Sequence, residues 1–332
     1  MRTRSRVQIA AGAYFFNTML AEISHHIRKH ISSFATEDKI IFNSSLISCN
    51  PANFTSLASA SISKTIAFID GGQAEIISAG NFCLSFIRVG AVLFQADQKV
   101  GYEKKEFYLF TKARYTEKEL LYESILFPVG SGVQIDVKDL AISSTDSSIR
   151  IGIERAPITA VTTMARRFAE LQLAASVQAD DVLLDGTLEP TLKNEEKYLS
   201  LLSSSVSALA KTCSLFTTSG NNPMVLLNKM GGQGCWTYHM ENKTYFVKLH
   251  EKAKHVFRFE GNPEILPHLM NNSRDALFLG YPYGLILADQ LARVSNEEKN
   301  SLRMNFLLRK ENKEIMGYLN ATNAHEILDR MG

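Results

Sequence analysis

Two apolar stretches of the sequence each run into an aspartate that is followed by glycine. In Thr65–Ile76, "TIAFIDGGQAEI", the run ends at Asp70, and in Asp180–Pro190, "DDVLLDGTLEP", it ends at Asp185. Carboxylates at the C-terminal ends of neighbouring strands can converge on the crevice where open α/β sheets bind ligands. Such oxygen ligands suit Mg²⁺ or Mn²⁺, ions that serve phosphodiester cleavage. Because a single Asp-Gly pair is most often a turn, it is the joint occurrence that indicates a site.

Glu170 is the first candidate for a third acid. It lies in "ARRFAELQLA", a stretch of helical spacing that precedes the second apolar run. A metal site for phosphodiester cleavage needs at least two acids and usually more. Arg166 and Arg167 lie at helical spacing from Glu170, so an ordinary ion pair is the alternative. Glu154 in "RIGIERAP" competes for the same role, and the neighbouring Arg155 offers it the same alternative.

Asp289 is the candidate for a fourth acid, in "GYPYGLILADQLARV". On a helical wheel it lies close to Leu285 and Ala292, on the apolar side of the predicted helix. A carboxylate on an apolar face is costly unless a metal ion or a cation compensates it. The two interpretations are therefore a metal ligand and a salt bridge to Arg258 or Arg293.

The first part of the chain predicts one helix followed by hairpin-linked strands. Residues 7–33 show a helical pattern, and a polar connector extends to about Ser61. From Lys64 to Phe110, β-branched and aromatic residues between short turn signals predict several consecutive strands. A capping-box pattern predicts a helix over Thr116–Leu126. The Gly-, Ser- and Asp-rich stretch Gly130–Ser148 is typical of a loop or insertion.

The rest of the chain alternates helices and strands. Pro157 suits the first turn of a helix whose apolar residues recur at spacings of three and four to about Val177. This helix leads into the predicted strand Val182–Asp185. The later predicted elements are a helix over Lys197–Lys211, the hairpin "CWTYHM" and "TYFVKLH", the strand "HVFRFE", and helices over Pro263–Met270, Tyr283–Val294, Ser295–Arg309 and Asn323–Met331. This order predicts an α/β protein in which strand-end acids meet.

Composition indicates a soluble globular protein with a substantial core. The chain has 332 residues, of which 45% are hydrophobic. No segment approaches the roughly 18 uninterrupted apolar residues of a membrane span. Four cysteines in so long a chain indicate reduced thiols rather than a disulfide framework, which together with the absence of a span predicts a cytoplasmic location.

Charge neither indicates nor excludes a nucleic-acid partner. Lys+Arg number 36 and Asp+Glu number 34, so any basic groove must be local. One local run, from Lys243 through Lys248 to Arg258, carries five cations against one acid. It could face a phosphate backbone, although a solvated hairpin is the safer interpretation.

Five motifs in a fixed order resemble the NurA nucleases, an archaeal and bacterial family that works beside the HerA translocase in DNA end resection. The motifs are "IDGG", "LLDGTL", "LAKTCSLF", "VFRFE" and "GYPYGLILADQLARV". The resemblance spans roughly residues 60–310 and does not cover the first 60.

The resemblance implies a fold, an activity and partners. The fold would be α/β, a ribonuclease H-like mixed sheet flanked by helices. It would comprise an N-terminal helical extension (1–60), the nuclease domain (61–315) and a C-terminal helix (316–332). The implied activity is Mn²⁺- or Mg²⁺-dependent cleavage of single-stranded DNA, as an endonuclease and a 5′-to-3′ exonuclease. The implied assembly is a homodimer on a hexameric HerA ring.

The resemblance also assigns roles to individual residues. Asp70 and Asp185 match the two strand acids and Glu170 the helix acid between them. Tyr281 matches the tyrosine of the Gly-Tyr-Pro motif. Asp289 falls where many members have histidine, which leaves the type of that ligand open, because an aspartate binds metal but cannot donate a proton as an imidazolium would. These five residues are the predicted catalytic set, and the four acids among them are the predicted metal ligands.

Four cations are the predicted DNA-binding residues. Lys211 matches the Ala-Lys-Thr motif of the family and could contact a phosphate. The others are Lys248, Arg258 and Arg293.

Two other classes of protein fit the same residues. Ribonuclease H-like sheets also carry actin-like phosphotransferases, whose Asp-Gly turns hold nucleotide phosphates, but no adenosine-site signature is present. A non-catalytic NurA-like adaptor of a translocase would not need the acids, yet all the candidates are present apart from the histidine change.

Overall fold

The computed structural model describes residues 18–31, 38–60, 63–130, 132–276 and 278–322. These fall into two compact units. One lies within residues 1–52 and 213–232, and the other within 53–212 and 233–332. In the part of the chain that is described, no helix is both long and apolar enough to span a membrane.

The strands and helices are numbered in chain order. The strands are β1 (Lys39–Phe42), β2 (Ser45–Ser48), β3 (Phe54–Ser56), β4 (Thr65–Ala79), β5 (Phe82–Gln95), β6 (Gln98–Tyr115), β7 (Leu120–Val129), β8 (Ile142–Ser143), β9 (Asp181–Asp185), β10 (Val206–Ala210), β11 (Trp236–His239), β12 (Thr244–Lys248) and β13 (Phe257–Glu260). The helices are α1 (18–31), α2 (Ala160–Ser176), α3 (Glu195–Leu199), α4 (Pro223–Met230), α5 (Leu266–Asn272), α6 (Tyr283–Ala292), α7 (Asn296–Leu307) and α8 (Lys313–Thr322).

The smaller unit contains α1, the antiparallel hairpin β1–β2 and α4. Its hairpin is tied to the segment before α4 by the buried carboxylate of Asp38. That carboxylate accepts hydrogen bonds from the Thr218 hydroxyl at 2.8 Å and the Ser219 amide at 3.0 Å. These hydrogen bonds hold the pKa of Asp38 well below its usual range even though burial opposes them.

The larger unit is built on one eleven-stranded mixed sheet. Its strand order is β3-β11-β12-β13-β10-β9-β4-β5-β6-β7-β8. Strands β4 to β7 form an antiparallel meander, whereas β9 lies parallel to β4 and β10 parallel to β9. The predicted α/β fold with a mixed sheet flanked by helices is confirmed.

The apolar run of β4 is buried on both sides of the sheet. Ala67 and Ile69 face a core that includes Phe168 of α2. Ile66 and Phe68 face a second core that includes Leu285 of α6 and residues of α5. Burial on both faces explains why the strand is continuously apolar instead of alternating.

Several predicted elements are confirmed. The helix that ends near Val177, the strand Val182–Asp185, the C-terminal hairpin and the strand "HVFRFE" appear as α2, β9, β11–β12 and β13. The helix over 7–33 is confirmed for 18–31, and its remaining residues lie outside those described, as does the helix predicted over Asn323–Met331.

The helix predicted over Thr116–Leu126 is wrong, because these residues form a turn and strand β7. The Thr116 amide donates to the Glu119 carbonyl at 2.8 Å, and the Glu119 amide lies 3.4 Å from the Thr116 hydroxyl. The threonine thus closes the turn between β6 and β7. The same short side chain serves helix caps and turns, so the local pattern could not distinguish them.

The helix predicted over Lys197–Lys211 is also wrong. It divides into the short helix α3 and the fully buried strand β10, which pairs with β9 and β13. The polar connector predicted up to Ser61 likewise contains β1, β2 and β3. Pairing within a sheet outweighs the weak helical preference of serine- and alanine-rich sequence.

Candidate active site

Asp70 and Asp185 lie level with each other on adjacent parallel strands. Ile69 of β4 pairs with Leu184 of β9, which places the two aspartates at the next position. Strand β9 ends at Asp185, as the sequence indicates. Strand β4 does not end at Asp70, as the sequence pattern suggested, but continues to Ala79 against β5.

The two carboxylates belong to the same face of the sheet. Side chains alternate along a strand, so Asp70 shares the face of Phe68, and Asp185 that of Leu183. Phe68 and Leu183 lie in one core with Tyr281. Neighbouring strands are about 4.8 Å apart, so the two carboxylates are adjacent.

Glu170 reaches this point from α2, on the opposite face of the sheet. A Cβ atom on Gly71 would overlap its Oε1 atom, so the carboxylate lies directly over the backbone that follows Asp70. The Gly71 carbonyl accepts a hydrogen bond of 2.8 Å from Nη1 of Arg166, which binds α2 to β4 here. Glycine suits this position because a Cβ atom would displace the Glu170 carboxylate and crowd the Arg166 side chain.

Burial and mutual repulsion perturb the acids. Asp70 is 9% exposed, and burial, with the charges of Asp185 and Glu170, raises its pKa to about 7. Burial also raises the pKa of Glu170, an effect that Arg166 and Arg167 oppose. The charge of Asp185 thus disfavours the ionisation of both Asp70 and Glu170, an arrangement typical of a cation-binding or acid–base site.

Lys211 supplies the nearest positive charge to the strand acids. It follows directly after β10, and its Nζ atom lies 2.5 Å from Oδ2 of Asp185. The same ammonium lies 5.0 Å from the centre of the Tyr281 ring, within the range of a cation–π contact.

Arg166 and Arg167 hold Glu170 on its other side. Their Nη1 atoms lie 3.3 Å and 3.9 Å from the Glu170 carboxylate oxygens. Arg167 also donates to the buried Glu195 at 2.7 Å and to the carbonyl of Thr187. It therefore connects the helix acid to the loop that follows Asp185.

Tyr281 is buried beneath the strand acids. Burial, followed by the charges of Asp185 and Asp70, raises the pKa of its hydroxyl far above the usual range. The hydroxyl therefore stays protonated at any physiological pH and can act only as a neutral hydrogen-bond donor or acceptor.

Asp289 is half-exposed on α6 and forms an ion pair with Arg293 one turn later. This is one of the two partners expected if Asp289 is not a metal ligand. Its charge also contributes to the raised pKa of Tyr281, after burial and the strand acids, so Asp289 borders the site. Glu154, the competitor of Glu170, is exposed in a turn.

The structure does not place Lys248 and Arg258 on a surface that could contact DNA. Both side chains are buried. Arg258 lies 2.5 Å from Glu189 and 2.8 Å from Glu260, so neighbouring acids compensate its charge. Arg293 is exposed, as a DNA contact requires, although it pairs with Asp289.

The donor atoms fit a hard divalent cation. All are carboxylate oxygens, and Oε1 of Glu170 is buried without a well-formed hydrogen bond to any described residue. Within the described ranges, however, no three His, Cys, Asp or Glu side chains already converge on one point. Asp185 turns towards Lys211 and Glu170 towards its arginines, so binding an ion requires these side chains to exchange partners.

Sequence reasoning missed Glu195 as a structural carboxylate of the site. It accepts hydrogen bonds from the amides of Thr191 and Leu192 at 2.8 and 3.0 Å, besides that from Arg167. Two adjacent glutamates at the start of a short helix gave no sign of burial. The only available signal was the proximity of the segment to "LLDGTL" in the sequence.

No protein-family model matches the sequence, and no curated protein matches it. Among solved structures, the chain is similar to the NurA nuclease from Sulfolobus solfataricus, with 13% identity and a TM-score of 0.49 over 92% of this chain and 98% of that one. A second NurA structure matches with 9% identity and a TM-score of 0.46 over 80% and 92%. Endonuclease V of Ciona intestinalis, in complex with inosine-containing DNA, matches with 13% identity and a TM-score of 0.37 over 71% and 90%.

Proposed function

We propose that this protein is a divalent-metal-dependent nuclease that hydrolyses phosphodiester bonds of DNA. The observation that carries the proposal is the proximity of Asp70 on one strand to Asp185 on the next strand and to Glu170 on a helix, both of which act on Asp70 through their charges. Their repulsion and burial raise the pKa of Asp70 to about 7. Burying acids that repel one another costs stability unless a cation compensates them, and this cost supports a bound cation at the site.

Each residue of the proposed site has a distinct role in metal or substrate binding. Asp70, Asp185 and Glu170 would bind Mn²⁺ or Mg²⁺ through their oxygens, and Asp289 is the proposed fourth ligand at the border of the site. Such an ion, when bound, activates a water and stabilises the leaving oxygen. Lys211 offsets the phosphate charge, and the protonated Tyr281 hydroxyl orients a carboxylate or the substrate by a hydrogen bond.

Substrate and partners follow from the sequence motifs. The resemblance to NurA supports single-stranded DNA as substrate, endonuclease and 5′-to-3′ exonuclease activity, and a role in end resection. It also supports a HerA-type hexameric translocase as partner, a homodimer as the working form and the cytoplasm as location. Co-purification with a HerA-type protein and analytical ultracentrifugation test the partner and the dimer separately from catalysis.

The central experiment is cleavage of end-labelled single-stranded DNA with Mn²⁺, with Mg²⁺ and with EDTA. We expect cleavage with an ion and none with EDTA. A phosphotransferase would instead bind ATP, and an adaptor would not cut under any of these conditions.

Two matched variants make the experiment specific. Glu170→Gln should lower the rate about a hundredfold or more, because it removes an oxygen ligand. Glu154→Gln changes the exposed competitor in the same way and should retain wild-type activity. Equal activity of the two variants would exclude Glu170 from the site, and undiminished cleavage in EDTA would exclude a metal mechanism.

A further inference from the structure

Lys211 lies against Asp185, one of the two strand acids. Its ammonium contacts Asp185 at 2.5 Å, while Asp185 is only 17% exposed. Burial and neighbouring carboxylates raise the pKa of Asp70, and the charge of Lys211 opposes that rise, so its field reaches both aspartates. Lys211 thus places a positive charge next to Asp185, where a metal ion bound by Asp70 and Asp185 would also place one.

The Lys211 side chain can leave this position at little cost. It is 48% exposed, and its other described contact is the weak one with the Tyr281 ring. An ion pair of such an exposed lysine is worth about 1 kcal/mol or less. The pair therefore holds Asp185 in place without locking it.

We propose that Lys211 competes with the divalent ion for Asp185 and moves from that carboxylate to a substrate phosphate when the ion binds. This inference rests on the proposed nuclease function and adds a coupling to it. Since the same ammonium cannot serve Asp185 and a phosphate equally well, each phosphate contact frees a ligand for the metal. By linkage, DNA should strengthen metal binding, and metal should strengthen DNA binding by the same factor.

The opposite end of the same two strands offers a matched control. Lys64 lies 3.5 Å from Asp181, with 49% of the lysine side chain and 9% of the aspartate exposed. Lys64→Met and Lys211→Met each remove one positive charge and one exposed lysine–aspartate pair. The net charge of the protein therefore changes equally in the two variants, while only Lys211→Met removes a charge next to the proposed metal ligands.

The test measures Mn²⁺ binding to the full chain without DNA, by electron paramagnetic resonance of the free ion. Lys211→Met should bind Mn²⁺ about three- to fivefold more tightly than the wild type, the range set by the strength of an exposed ion pair. Lys64→Met should differ from the wild type by less than about twofold. Lys211→Arg keeps the competing charge and should bind no more tightly than the wild type.

The outcomes separate this inference from the proposed function. If all four proteins bind Mn²⁺ with the same affinity, or if Lys211→Met binds more weakly, the competition is refuted and the metal site stands. If none of the proteins binds Mn²⁺, the proposed metal site fails and the inference fails with it. Tighter binding in Lys211→Met alone supports both.

Discussion

The two ends of the β4–β9 strand pair both carry aspartates and a lysine, yet they are built differently. At the end where β9 begins, the Asp180 carboxylate accepts a hydrogen bond of 2.7 Å from the Thr65 amide. Asp181 forms an ion pair of 3.5 Å with Lys64 at the same end. At the end where β9 stops, Asp70 and Asp185 lie side by side with Lys211. Composition alone does not separate these two ends.

The difference is the helix acid that is added at one end only. At the end where β9 begins, one acid has a backbone donor and the other a cation, which is sufficient to hold a strand pair together. At the other end, Glu170 brings a further carboxylate against Gly71, and the mutual repulsion is not relieved. The crowding of acids that raises the pKa of Asp70 therefore marks the proposed functional end more clearly than the Asp-Gly pattern does.

Asp185→Asn and Asp181→Asn are the most decisive pair of variants. Asn at position 185 removes a charged ligand and should lower DNA cleavage about a thousandfold. Asn at position 181 removes a structural carboxylate and should leave the rate within about threefold of the wild type, while lowering the free energy of unfolding by about 1 kcal/mol. Initial cleavage rates with Mn²⁺ and urea unfolding measure the two effects. Similar activity losses in both variants would remove the distinction between the ends.

Gly71→Ala tests whether the helix acid depends on close approach to β4. The added Cβ would overlap Oε1 of Glu170 and displace that carboxylate, so we expect about 1 kcal/mol of lost stability and about a hundredfold loss of activity. Gly101 of β6 has no described heavy atom within 4 Å of the same added atom. Gly101→Ala should therefore be nearly neutral in thermal unfolding and in cleavage. A Gly71→Ala protein with normal stability and activity would show that Glu170 is free to shift.

The strand acids and the general fold could be predicted from sequence because they are local. An apolar run that ends in Asp-Gly indicates a buried strand and a polar residue at a predictable place. The order of strand acid, helix acid and strand acid fits the type of sheet that the resemblance to NurA implies. These signals extend over about ten residues, which is the range in which side-chain periodicity is informative.

The contacts that complete the site could not be predicted because they join distant segments. The position of Lys211 depends on β10, whose sequence "VSALA" was assigned to a helix and becomes a strand by pairing between β9 and β13. The contact of Glu170 with Gly71 depends on how closely α2 packs on β4. Burial of Lys248 and Arg258 likewise results from the sheet pairing and the acids around them.

The raised pKa of Asp70 predicts a pH dependence of stability. Between about pH 4 and pH 7, the unfolded chain ionises Asp70 while the folded protein, because of burial and the other carboxylates, keeps it protonated. The folded state then binds more protons, so this group makes the free energy of unfolding fall as pH rises. From pH 5 to pH 8 in EDTA, the decrease should be about 2 kcal/mol greater in the wild type than in Asp70→Asn. Asp181→Asn is the control and should keep the wild-type slope; equal slopes in all three proteins would contradict the repulsion among the acids.

Asp289→Asn and Arg293→Met address the acid that borders the functional end. The two residues form an exposed pair one turn apart, so losing either should change the free energy of unfolding by only about 0.5 kcal/mol. If Asp289 is the fourth ligand, Asp289→Asn should also lower cleavage about tenfold and raise the Mn²⁺ concentration needed for half-maximal activity. Arg293→Met leaves the Asp289 carboxylate in place and removes its ion-pair partner. This variant should not raise the Mn²⁺ concentration needed for half-maximal activity. Identical metal dependence in Asp289→Asn and the wild type would assign Asp289 to the same structural class as Asp181 and limit the site to the three acids from β4, β9 and α2.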